Sequence, residues 1–332
     1  MKKYSAYLSQ IANLKDDLLK SLEFIQWGNQ IEKGSTVFVK PNFTYPYYKE
    51  GITTSPELLK YLLEILKNRA GKVIVGESDG GKHSFTAQDA FRGHNMYEIC
   101  RDVGVDLVNL SEIPSTFVEE PIQGKRVKIQ LPNILLNDID SFISVPVLKV
   151  HVMTEVTLSI KNLWGCYPDT MRCLHHKYLS HKLALLTKLI HPKISIIDGI
   201  NALNGHGPMF GEVKKTNLII SSDNSVVADS LATAIMGIPI DRCNHILIAE
   251  GEGLGTTDLS KIEINTDWTK FKMDFNVNKT LIDNLSVLLF NSETLAKLVM
   301  DSPCSPFIYG LAKRLRTHEE NQVVNNLRFF SK

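Results

Sequence analysis

An alternation constrains this chain more than any other feature. Short apolar runs at 36–40, 72–75, 105–110, 141–147, 194–197 and 217–221 read as strands, and amphipathic stretches separate most of them. Ser55-Pro56-Glu57 supplies a cap, a first-position proline and a first-turn acid to a helix carrying Leu58, Leu62, Ile65 and Leu66. Thr86 caps a second helix running to about 103, and 225–236 reads as a third. Strands alternating with helices build βαβ units and a parallel sheet, and strands apolar throughout are buried on both faces. The expectation is an α/β fold: mostly parallel sheet flanked by helices, as one unit or two lobes, with a helical C-terminal extension. A length of 332 residues accommodates either.

Tyr7, Ile11, Leu14, Leu18, Leu22 and Ile25 predict an N-terminal helix over 7–25, packed on the main domain. A hairpin is expected around Gln123-Gly124, helices over about 154–164 and 174–190, and helix over much of 293–316. The organisation read from these elements is 1–34, 35–256 and 257–332.

Charge and cysteine content narrow the function classes. Lys plus Arg number 37 and Asp plus Glu 36, a net charge of +1, which speaks against a general grip on nucleic acid or membrane. No apolar run is long enough to span a bilayer, and Met1-Lys2-Lys3-Tyr4-Ser5 does not open a secretory signal. The cysteines at 100, 166, 173, 243 and 304 are odd in number and scattered, so a reducing cytoplasm is expected rather than a disulfide framework. No CxxC pair occurs, so no iron–sulfur cluster is expected.

Polar residues collect where the apolar runs stop. Lys40 and Asn42 follow the first run, Glu77 and Asp79 the second, Lys149 and His151 the fourth, and Asp198 the fifth. Ligands of open parallel sheets bind outside the carboxyl ends of the strands, so these residues could share one rim. The competing explanation is that strand ends simply meet water. The densest cluster spans 149–181, with Lys149, His151, Lys161, Asn162, Arg172, His175, His176, Lys177 and His181. The loop 198–211 holds four glycines, of which Gly205 and Gly207 could let backbone N–H groups approach an anion. Its spacing matches neither the P-loop nor GxGxxG. The assignment is therefore His151, Lys161 and His175 as catalytic candidates. Lys40, Asn42, Lys149, Asn162, Gly205 and Gly207 are the anion-binding candidates, and Glu77, Asp79 and Asp198 would take a hard divalent metal.

Several segments in order resemble the domain of unknown function family 362. They include Val39-Lys40-Pro41-Asn42, Thr54-Ser55-Pro56-Glu57, Val75-Gly76-Glu77-Ser78 and Pro146-Val147-Leu148-Lys149-Val150-His151. Ser159-Ile160-Lys161-Asn162-Leu163-Trp164-Gly165, Ile197-Asp198-Gly199, Gly205-His206-Gly207-Pro208 and Val227-Ala228-Asp229-Ser230 continue the resemblance, which covers about 35–256. Many relatives add a ferredoxin-like four-cysteine segment that this sequence lacks, which implies no electron transfer within the same chain. The order His151, Lys161, His175 is more distantly similar to the nickel-pincer lactate racemase family, where a lysine holds a pyridinium-derived cofactor. The expected function is a cytoplasmic enzyme acting on a small anionic substrate, a carboxylate or a phosphate. The alternative is a non-catalytic metal- or cofactor-binding or maturation protein. Nucleic acid and membrane are not expected partners, and oligomerisation is left open.

Overall fold

The computed structural model describes residues 4–81, 84–300, 302–303 and 307. Its strands are β1 Tyr4–Gln10, β2 Thr36–Pro41, β3 Lys72–Glu77, β4 Asp106–Asn109, β5 Ser115–Ile122 and β6 Lys125–Pro132. They continue with β7 Ser141–Val145, β8 Val147–His151, β9 Glu155–Val156, β10 Ile194–Asn204, β11 Glu212–Ser222 and β12 Ile262–Ile264. The main sheet runs β12-β1-β11-β10-β7-β2-β3-β4, with β8 paired to β10 and β9 to β8. Strands β4, β3, β2, β7 and β10 are mutually parallel, as the alternation requires. Strand β11 is antiparallel to β10 instead. The two are joined by a short loop, and a parallel return would have needed a crossover of a dozen residues or more.

Strand alternation explains why both faces are covered. In β2, Val37 and Val39 pack on one side with Leu58, Leu62 and Phe91. Phe38 packs on the other, with Leu183, Leu186 and Leu231. Phe38 and Phe142 stack across neighbouring strands at 5.4 Å. Gly76 lies against the Phe38 ring so closely that a Cβ would enter it, so this strand position accepts only glycine.

The N-terminal segment corrects the sequence reading. Residues Tyr4–Gln10 form a strand between β11 and β12, and the helix begins at Leu14, capped by Asn13. Leu14, Leu18 and Leu22 carry the helical period, whereas Ala6 and Leu8, buried at a period of two, mark the strand that this period conceals. The expected helix over 154–164 contracts to Leu158–Asn162 plus a 3-10 turn, because Glu155–Val156 pairs with β8. The next helix starts at Leu179, and the one capped by Thr86 divides at Asn95. The hairpin forms as expected between β5 and β6. Helices Leu281–Phe290 and Glu293–Met300 begin the helical C-terminal region. Most of the expected helix past 300 lies outside the described residues.

Leu8→Ala is expected to lower unfolding free energy by about 2–5 kcal/mol, as for other fully buried leucines. Gln10→Ala, exposed at the end of the same strand, should change it by less than about 0.5 kcal/mol. Denaturant unfolding of both variants checks the strand assignment, and equal small losses would contradict it.

Candidate functional site

The carboxyl ends of β2, β3 and β8 converge on a cavity of about 320 Å³. Its floor is an ion pair. Lys40 Nζ lies 2.5 Å from Glu77 Oε2, with both side chains almost entirely shielded from water. Lys40 also donates to the Pro41 carbonyl, and Glu77 accepts the N–H groups of Phe43 and Ser78. These contacts compensate charges whose burial would otherwise be very unfavourable. Gly165 closes over the pair: a Cβ there would sit 2.7 Å from Glu77 Oε1 and 2.8 Å from Lys40 Nζ.

Lys149 lies fully buried just beneath the lining. Its Nζ donates to Asn42 Oδ1, Thr44 Oγ1 and the Ile52 carbonyl at 2.6–2.8 Å, without a carboxylate. Burial, then the cation of Lys161, pushes its pKa well below the lysine range; Glu77 opposes this. Asn42 passes the network on by donating to Asn162 Oδ1, and Asn162 donates to the Lys40 carbonyl and Ser144 Oγ. The two asparagines thus brace the floor.

Lys161 sits on the short helix Leu158–Asn162, entered through a strained turn in which Glu155 and Leu158 both have positive φ. Asp229 holds this helix start by accepting the N–H groups of Ser159 and Ile160 at 2.7 and 2.9 Å. Burial lifts the Asp229 pKa to about 7 despite those hydrogen bonds. Among the described residues, Lys161 makes no hydrogen bond or ion pair. Burial, then the nearby Arg172, brings its pKa down to about 7. Arg172 itself is held by Ser78 Oγ and the Tyr167 carbonyl. His151 Nδ1 accepts the Met153 N–H, so a neutral ring carries its proton on Nε2. Burial, followed by Lys161 and Lys149, holds the His151 pKa well below normal.

The structure brings together part of the predicted set. Lys40, Asn42, Glu77, Asp79, His151, Lys161 and Asn162 line the cavity, with Lys149 below. Asp79 spends Oδ1 on the Ala87 N–H and the Asn109 amide. Asp198 is elsewhere. Alternation along β10 puts it on the same face as Ile194 and Ile196, where it accepts the Ser55 and Ile200 N–H groups. Burial raises its pKa to about 6. Glu77, Asp79 and Asp198 are therefore not gathered. Among the described residues, no group of three or more His, Cys, Asp or Glu side chains is arranged to hold a metal ion.

His175 pairs with Asp169 at 3.0 Å and borders a different cavity; its neighbour His176 lines the Lys161 cavity. The order His151, Lys161, His175 does not converge as read. Gly205 and Gly207 are not lining residues, whereas Pro208 and Met209 of the same loop are. Gly207 abuts the Val150 carbonyl with no room for a Cβ, a packing reason for glycine there. Trp164, Asp229 and Met209 were not singled out as site residues from the sequence. Asp229 in particular reads as an ordinary turn of helix, since only the fold aims it at another helix start.

The fold and site define an α/β protein with a lysine-rich cleft at the carboxyl ends of a parallel sheet. The chain belongs to the family described as Domain of unknown function (DUF362), whose model matches residues 37–234. It is 26% identical over 242 residues to a thylakoid-associated protein of Synechocystis sp., covering 69% of this chain and 70% of that one. A crystal structure of a Thermotoga maritima protein aligns at a TM-score of 0.31 and 12% identity, over 55% of this chain. The aligned part spans about half, 49%, of that protein's length.

The paired and unpaired lysines should respond oppositely to loss of charge. Lys40→Met leaves Glu77 buried without its cation and should cost about 3–5 kcal/mol. Lys161 has a folded pKa near 7 against an ordinary 10.5, so its charged form is penalised in the folded state. That penalty is absent above the unfolded value and grows as pH falls towards 7. Lys161→Met should therefore not lower the thermal midpoint at pH 7, and any gain should vanish near pH 10. Melting curves across this range check the sign; a fall of several degrees at pH 7 for Lys161→Met would contradict it.

Proposed function

We propose that the cavity binds a small anionic molecule, a carboxylate or a phosphate, and that the protein is an enzyme acting on it. The observation that carries this reading is Lys161, whose side chain faces the cavity without a partner among the described residues and with Arg172 nearby. An anion would relieve the repulsion and form charge-assisted hydrogen bonds, each worth about 1.5–3 kcal/mol.

The case for chemistry beyond binding rests on protonation. A lysine near pKa 7 is divided between ammonium and amine at neutral pH, and can give up or take a proton there. His151, held neutral with its proton on Nε2, is positioned to donate a hydrogen bond to negative charge that develops beside it. The cavity walls include Phe43, Phe85, Met153, Trp164 and Met209, which would exclude water around a bound ligand and strengthen these interactions.

Titration calorimetry and product analysis by NMR, using a panel of small carboxylates and phosphates, test the reading. At least one member should bind and be converted. Lys161→Met should weaken its binding by about tenfold or more, the equivalent of one charged hydrogen bond. Lys177→Met should bind as the unaltered chain does, because Lys177 borders the other cavity and lies over the Tyr178 ring. Equal affinity in Lys161→Met would reject the assigned role, and binding without conversion would reject the enzyme.

A further inference from the structure

The lysines at the cavity differ in what their amines can do. Lys40 is paired with Glu77, and Lys149 lies fully buried with three acceptors around its Nζ. Lys161 is partly exposed on the lining, where a ligand reaches it, and makes no hydrogen bond or ion pair among the described residues. Burial and Arg172 both favour its uncharged amine over the ammonium.

Arg172 is a second cation on the same lining, and its Nη1 is fixed by donating to Ser78 Oγ and the Tyr167 carbonyl. A guanidinium keeps its charge throughout the neutral range, and its fork matches the oxygens of a carboxylate or phosphate. The two groups therefore divide the work: Arg172 takes an anionic group, and Lys161 keeps a free electron pair. A site built only to hold an anion would gain from two permanent cations. A lysine desolvated in a cavity beside another cation is instead the setting of an amine nucleophile. Phe43, Phe85, Met153, Trp164 and Met209 supply apolar walls around it.

Resting on the anion reading above, we propose that Lys161 forms an imine with a small aldehyde or ketone that carries a carboxylate or phosphate, the anionic group lying against Arg172. The Nζ electron pair forms the C–N bond as the carbonyl π pair moves to oxygen. His151, on the same lining with its proton on Nε2, donates a hydrogen bond to the charge that develops there. One proton passes from nitrogen to that oxygen. A second, from solvent, lets the hydroxyl leave as water while the nitrogen pair closes the C=N bond. Counted from the ammonium, two protons and the carbonyl oxygen depart as water and the single positive charge stays on nitrogen. The step therefore needs no oxidant or reductant. Walls that exclude water oppose the return hydrolysis.

The test is reductive trapping in the full chain at pH 7, with sodium cyanoborohydride and, in separate samples, glyoxylate, pyruvate and dihydroxyacetone phosphate. The intact mass should rise by one molecule of at least one of them, less one oxygen atom, and peptide mapping should place the adduct on Lys161. At this pH an ordinary lysine is an amine less than about one part in a thousand of the time, so Lys161 should be trapped at least about tenfold faster than any other lysine. The compound that is trapped tells carboxylate from phosphate. Lys161→Arg keeps a cation and removes the nucleophile, and it should lose the fast adduct at an unchanged thermal midpoint. The map is made on the unaltered chain, so it decides even where the variant fails to fold. Trapping at Lys161 no faster than at other lysines would overturn the proposal. Calorimetry with propionate and glycerol 3-phosphate, anions of the same kind without the carbonyl, separates the two readings. Binding of either with no adduct overturns the imine alone. No binding of any of these compounds and no adduct overturns the anion reading with it.

Discussion

Lys40 and Glu77 form a charged pair almost without access to water, and much of the molecule is arranged around that fact. Two ions withdrawn from solvent are tolerated only where geometry and extra hydrogen bonds answer both. The parallel register of β2 and β3 brings the two residues to neighbouring strand ends. Backbone N–H groups of Phe43 and Ser78 complete the carboxylate, and Gly165 leaves the space the pair needs. The Asn42–Asn162 contact then ties this floor to the helix that carries Lys161. The sheet, the loop after β2 and the Lys161 helix thus share one electrostatic constraint.

Against that compensated pair, the remaining cations differ in kind. Lys149 has three acceptors and no carboxylate, and it reads as a brace under the lining. Among the described residues Lys161 has neither, yet a buried carboxylate, Asp229, holds the helix start that positions it. Holding a strained turn in order to present an unpartnered amine makes little sense for stability alone. It makes sense if a ligand supplies the missing negative charge, the arrangement in which perturbed groups mark a functional cleft.

Much of this was legible in the amino-acid sequence, and the failures have physical reasons. Strand ends announced Lys40, Glu77 and His151 because a parallel sheet gathers its carboxyl ends, and β2, β3, β7 and β10 are parallel as read. Asp198 followed the same pattern and still went elsewhere. Polar residues hide the continuation of β10 to Asn204, so a mid-strand side chain reads as a rim one. His175 and His176 could not be separated by spacing, because a 3-10 turn at Arg172–His175 replaces the expected helix and sets the directions of both rings. The strand at Tyr4–Gln10 was masked by an adjoining helical period. Asp229 lay beyond local reasoning altogether: its partners are about seventy positions away.

The most direct test of the account is the ionisation of Lys161 in the intact protein, followed by NMR of isotope-labelled lysine side chains and assigned with Lys161→Met. The account predicts a midpoint near 7 in the free protein. It further predicts an upward move of about a unit or more when a carboxylate or phosphate saturates the cavity, because an anion favours the ammonium. A midpoint in the ordinary lysine range, unmoved by a bound anion, would contradict it.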